Sequence, residues 1–262
     1  MRRGFADGWA YTGGSATVKT HGAIVIPSRD VSVLGVEETR PRMRTPPRSV
    51  PVGTVRLSPR AAEYVAQVLA SGRLSYGPFT ERFEAEVAAA HEVRSAVFCN
   101  SGTSALHCAL AALREVDGWA DDDDVIVPAV SFVASANVVL ANRLTPRFVD
   151  VDPRTYCLDV ERLAAAIGPR TRAIMPVHLF GLPCDMEPIL ALARRHGLRV
   201  IEDSCQTMFV RYRGRPVGSF GDVACFSTRV SHLIATGIGG FVCANDPRLA
   251  AIARSLVNDG RA

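Results

Sequence analysis

The stretch Ala96-Val-Phe-Cys-Asn-Ser-Gly-Thr-Ser-Ala-Leu-His-Cys-Ala-Leu-Ala-Ala-Leu-Arg-Glu115 changes its hydrophobic period once, and that change decides the fold class. Ala96–Cys99 is a short apolar run of strand length. Asn100-Ser101-Gly102-Thr103-Ser104 supplies turn and cap residues, and Ala105–Glu115 continues as an Ala- and Leu-rich helix. The alternation recurs downstream, with strands expected at Val125–Val127, Arg147–Val151, Ala173–Val177, Arg199–Glu202, Ala224–Phe226 and Gly240–Cys243. Helices are expected to start near Val133, Val160, Met186 and Pro247. Strands that alternate with helices of this length predict an α/β fold with a mainly parallel sheet.

Upstream, Leu57-Ser58-Pro59 opens the ordered chain. Ser58 can cap a helix that has Pro59 at its first position, and Ala62, Val65, Val68 and Leu69 keep helical spacing. A turn over Gly72-Arg-Leu-Ser-Tyr-Gly-Pro leads to a second amphipathic helix, Phe79 to Ala90. Residues 1–52 mix Gly, Pro, Arg and short apolar scraps without a period, and read as a disordered or irregular basic arm. Residues 53–262 are then a single domain, and 262 residues at 48% hydrophobic can bury one large core.

Charge and composition narrow the function classes. Residues 1–50 hold eight Lys/Arg against four Asp/Glu, which accounts for the whole formal charge of +4. A near-neutral domain gives no electrostatic case for nucleic acid, and the arm reads as a solvated tail rather than a polyanion binder. No apolar run reaches the roughly 18 residues that cross a bilayer, and the N-terminus lacks the apolar stretch of a secretory leader. Seven cysteines without a CxxC pair point to reduced thiols in a cytoplasmic protein. Asp121–Asp124 reads as a solvated loop or helix cap, so no metal is expected.

Some short motifs can carry chemistry. The Asn100–Ser104 segment opens a helix, where free N–H groups and the positive dipole end suit a phosphate. Read locally the signal is weak, and an ordinary N-cap is the better reading. Val200-Ile-Glu-Asp203 ends a strand on a carboxylate, at the sheet end where α/β folds bind ligands. An aspartate there can pair with a protonated pyridine nitrogen, or simply cap a turn. Ser227, just past another strand, is a second candidate phosphate donor.

Taken in order, many blocks resemble the DegT/DnrJ-type sugar aminotransferases, enzymes of the aspartate-aminotransferase-like fold that depend on pyridoxal phosphate (PLP). They include Gly72-Arg-Leu…Gly77-Pro, Asn100-Ser-Gly-Thr-Ser-Ala-Leu-His and Val125-Ile-Val-Pro…Ser131-Phe-Val-Ala. Thr145-Pro…Phe148-Val-Asp-Val-Asp, Pro176-Val-His-Leu-Phe-Gly, Glu202-Asp-Ser-Cys-Gln206, Val217-Gly-Ser-Phe-Gly-Asp222 and Phe226-Ser-Thr-Arg-Val-Ser-His232-Leu-Ile-Ala-Thr-Gly-Ile-Gly-Gly240 follow. The resemblance implies the large domain of that fold, a three-layer α/β/α sandwich. It also implies that Gly102, Thr103 and Ser227 hold the cofactor phosphate, Phe132 stacks on the pyridine, Asp203 pairs with its nitrogen and Gln206 touches its hydroxyl. His178 lies in a matched block and is expected to be structural.

The chain departs from the family at decisive places. His232 stands where the family carries its Schiff-base lysine, and Lys19 in the arm is the only lysine present. Ile238 replaces the glutamate of Gly-Glu-Gly-Gly, and Leu233 follows His232 where related dehydratases often have a second histidine. After Ser255-Leu-Val-Asn-Asp-Gly-Arg261 a complete member continues into a small C-terminal domain, so this chain is expected to lack that domain.

An imidazole has no primary amine to condense with the cofactor aldehyde, but it moves protons near neutral pH. Besides a sequence or frame error in an otherwise ordinary aminotransferase, two readings therefore stay open. One is an enzyme that uses non-covalent PLP or pyridoxamine phosphate (PMP) on a nucleotide-linked keto sugar, in a 3-dehydratase-like reaction with His232 as base. The other is an inactive truncated homologue, or a non-catalytic subunit pairing with a complete relative. Either is expected to associate, as a homodimer or with a complete family member.

Overall fold

The computed structural model describes residues 57–261, so the expected arm over 1–52 lies outside the described residues. The first helix, α1 (Pro59–Ser71), starts as its sequence predicts: Ser58 Oγ accepts from the Ala61 N–H at 3.2 Å, and Gly72 ends the helix in the left-handed region. Next come α2 (Pro78–Ala90), β1 (Ser95–Cys99), α3 (Gly102–Asp117), β2 (Asp124–Pro128), α4 (Ala134–Ala141) and β3 (Thr145–Val149). The chain continues through α5 (Val160–Ala166), β4 (Thr171–Ile174), α6 (Met186–His196) and β5 (Arg199–Asp203). A short hairpin, β6 (Arg211–Tyr212) with β7 (Arg215–Pro216), precedes β8 (Val223–Ser227), β9 (Gly240–Ala244) and α7 (Pro247–Val257).

The main sheet has seven strands in the order β1-β9-β8-β5-β4-β2-β3. Pairs from β8 to β3 are parallel, while β9 runs antiparallel to both β1 and β8. Alternate strand residues face opposite layers. Val97, Val127, Ile201 and Val242 pack under α3, α4 and α7. Ile126, Val149, Ile174 and Val200 face α5 and α6, and Ala224 and Phe241 face α2. This is the mainly parallel α/β/α sandwich expected.

Some boundaries shift. The third strand runs over Thr145–Val149 rather than Arg147–Val151 and places Pro146 opposite Val125. Proline lacks an N–H, and β3 is an edge strand where that donor is not needed. The fourth strand ends at Ile174 rather than Val177, because Pro176 interrupts the ladder before a lone bridge from Val177 to Asp203. All seven cysteines are free thiols, and Cys205 alone is not fully buried. Among the described residues no helix is long and apolar enough to cross a membrane, and no cluster of His, Cys, Asp and Glu could hold a metal.

Candidate active site

The carboxyl ends of β1, β5 and β8 meet at one side of the sheet, and the loop after β2 folds over them. Together they enclose a cavity of about 510 Å³ lined by Gly102, Thr103, Phe132, Asp203, Gln206, Ser227 and His232. Every candidate site residue thus reaches the same cavity. Such a crevice at the carboxyl ends of parallel strands is where open α/β sheets bind ligands.

One wall presents hydrogen-bond donors. At the start of α3, Ser101 Oγ accepts the Ser104 N–H at 3.0 Å. The Gly102 and Thr103 N–H groups have no intrahelical acceptor, so they remain available beside the Ser227 hydroxyl. Glycine is required here for space: a Cβ on Gly102 would sit 2.7 Å from both Cys205 Sγ and Ser227 Cβ. Likewise, a Cβ on Gly240 would fall 2.5 Å from the Ser101 backbone. That spacing lets β9 enter the sheet directly against the helix start.

The opposite wall is acidic. Asp203 is buried at the end of β5; its Oδ2 accepts from Ser135 Oγ at 2.8 Å and its Oδ1 from the Cys205 N–H at 3.2 Å. These bonds orient the carboxylate and leave acceptor capacity facing the cavity. Gln206 Oε1 accepts the Phe180 N–H at 3.3 Å, which leaves its NH₂ group as the end available to a ligand. Phe132 lines the same space with 53% of its surface exposed.

His232 is half-buried, and its Nδ1 is buried without a hydrogen-bond partner among the described residues. Desolvation, and then the nearby Arg229 guanidinium, push its pKa below the ordinary imidazole value of 6.5; Asp203 and the Ser227 backbone oppose this only in part. The side chain is therefore a neutral imidazole at neutral pH, able to accept a proton.

His178 does not line this cavity. Its Nδ1 accepts the Cys184 N–H at 3.0 Å, so Nε2–H donates to Glu202 Oε2 at 3.1 Å. Glu202 also accepts N–H bonds from Gly218 (2.8 Å), Phe220 (2.7 Å) and Gly221 (2.6 Å). With Glu202 and His178 both fully buried, this network anchors β5 one residue before Asp203. Sequence reasoning overlooked Ser135, Cys205 and Arg229. Cys205 and Arg229 lay inside quoted blocks, and Ser135 follows Phe132 by three residues at a helix start.

The profile of the DegT/DnrJ/EryC1/StrS aminotransferase family matches residues 56–262. A GDP-perosamine synthase of Caulobacter vibrioides is 45% identical over 212 residues, 80% of this chain and 56% of that protein. Among solved structures, DesV of S. venezuelae aligns with a TM-score of 0.73 at 44% identity, covering 76% of this chain and 53% of its own. The E. coli GDP-4-keto-6-deoxy-D-mannose-3-dehydratase, solved with bound hydrated PLP, aligns with a TM-score of 0.74 at 28% identity, over 78% of this chain and 53% of its own. The chain spans about half the length of the relatives it matches.

Proposed function

The chain belongs to the DegT/DnrJ/EryC1/StrS aminotransferase family, and on that premise we propose that it holds PMP or PLP without a covalent bond and acts on a nucleotide-linked keto sugar. The observation that carries this reading is the convergence of an anion cradle, a buried carboxylate, an exposed aromatic ring and a neutral imidazole on one cavity. These groups suit a phosphorylated pyridine. Gly102, Thr103 and Ser227 would hold the phosphate, Phe132 would cover a ring face, Gln206 would meet the ring hydroxyl, and Asp203 would keep a proton on the ring nitrogen. Bound there, PMP would supply the primary amine that the chain lacks and a ring able to take up an electron pair.

His232 then accepts and returns a proton, a task that needs a free base near neutral pH rather than an amine. A base without an amine favours removal of a hydroxyl beside the keto group over transamination through lysine. The 3-dehydratase among the structural neighbours is consistent with this class. A second reading rests on the mouth of the site. Ile238 on the cavity lining (71% exposed) and Leu233, next to His232 in the chain (68% exposed), present apolar side chains, as would a subunit that meets a partner surface instead of a polar sugar.

Titration of the full chain with PMP and PLP, beside Asp203→Asn, tests the proposal. Saturable binding that falls on the order of tenfold to a hundredfold in Asp203→Asn supports it, since a charge-assisted hydrogen bond is removed. Absence of binding by either cofactor form overturns the enzyme reading for this chain by itself. His232→Lys should also gain a borohydride-trapped PLP adduct at position 232, located by peptide mass mapping, where the parent chain traps none.

A further inference from the structure

Arg229 sits on the same cavity as Asp203 and His232 but had no role in the sequence reading. Its backbone is fixed by the turn that follows β8: its N–H donates to Ser227 Oγ at 3.3 Å, and its carbonyl accepts the His232 N–H at 2.8 Å. Its guanidinium has no carboxylate partner among the described residues. By contrast, Arg199, Arg211, Arg248 and Arg254 each carry an ion pair. The other charged group on the cavity, Asp203, already accepts from Ser135 and Cys205. Arg229 therefore brings a guanidinium without a carboxylate partner to a cavity that is also lined by the N-terminal end of a 16-residue helix, at Gly102 and Thr103, and by Ser227. Both features favour negative charge.

We propose that Arg229 is an anion-binding residue of this cavity and takes a phosphate-ester oxyanion, from either the cofactor or the diphosphate of a nucleotide-linked substrate. The inference rests on the cofactor-site reading for the identity of its ligand, though not for the anion site itself. It also explains how a phosphorylated cofactor can be retained without a covalent lysine bond. Removing the tether leaves binding to non-covalent contacts, and a planar guanidinium gives a phosphate two parallel donors. The charge lies two residues from Ser227 and three from His232, so the same turn would position the anion donor, the hydroxyl and the base.

The test is calorimetric titration of the full chain, Arg229→Gln and Arg229→Lys with PMP, pyridoxamine, UDP, GDP and inorganic pyrophosphate. If the cofactor phosphate is the ligand, Arg229→Gln weakens PMP on the order of tenfold to a hundredfold, Arg229→Lys partly restores it, and pyridoxamine is unaffected. Unchanged PMP affinity with a similar loss for UDP or GDP supports the inference and assigns the anion to the substrate. Equal affinities for every probe in the parent chain and Arg229→Gln overturn it, and if Asp203→Asn still weakens PMP the cofactor reading survives. Pyrophosphate binding that depends on Arg229, without any PMP binding, supports the anion site and sinks the cofactor reading. No anion binding by the parent chain overturns both. Arg229 is exposed, so its variants should fold, with circular dichroism and the urea midpoint as checks; Arg229→Lys carries the comparison should the glutamine form fail.

Discussion

At Gly102 the absence of a side chain keeps the anion cradle open. In Gly102→Ala the new methyl meets Cys205 Sγ and Ser227 Cβ at 2.7 Å, closer than real Cβ contacts allow. The helix start or the β8 end must move, at a cost of about 1–3 kcal/mol for overpacking. PMP affinity should fall on the order of tenfold, because displaced N–H groups lose their aim. Urea unfolding and cofactor titration of the same variant measure the two effects separately. His232 shows the other side of residue-scale reasoning. Its identity was plain in the sequence, but its protonation state depends on burial and on Arg229, which only folding places beside it.

Among the elements, β5 matters most for the site because it delivers Asp203 to the cavity. Its end is held by Glu202, whose carboxylate accepts from Gly218, Phe220, Gly221 and His178. In Glu202→Gln an NH₂ group replaces one acceptor inside a ring of donors, leaving a buried N–H unpaired. We expect a loss of about 3 kcal/mol of stability, read as a lower urea midpoint. Because Asp203 follows directly, PMP should also bind more weakly even though Glu202 does not touch the cavity. The sequence marked Glu202 as part of a matched block, but nothing in its local pattern revealed these partners. Three of the partners come from a loop 16 to 19 residues downstream. Short elements were also illegible: β6 and β7 have two residues each, too few to display a period.

Over the whole domain, separate apolar cores cover the two faces of the sheet, and folding withdraws two histidine rings from water. His91 is buried between Phe209 and Phe226, and desolvation lowers its pKa, as it does that of His232. The sign follows from linkage. As pH falls past the unfolded value of 6.5, the unfolded chain binds protons at these positions before the folded one does. Stability is therefore fully present above that value and is lost as pH falls through the lower folded values. The urea midpoint should drop between about pH 7.5 and about pH 5.5, above the range where most carboxylates titrate. His232→Gln should lessen the drop. An unchanged midpoint across that window would contradict neutral burial of both rings.

The sequence by itself determined the order of the longer elements, the α/β class and seven of the residues that line the cavity. Those features depend on local quantities: hydrophobic period, cap and turn residues, and blocks read in order. Gly102, Asp203 and Ser227 could be named because each closes a strand or opens a helix, and His232 because it stands where the resembling family carries its lysine. Only the tertiary structure decided that β9 enters antiparallel between β1 and β8, that Arg229 lines the cavity, and that Ser135 holds Asp203 from behind it. Strand order and side-chain neighbours depend on contacts between distant segments. A buried carboxylate finds its donors, and an imidazole loses its proton, only when the layers close around them.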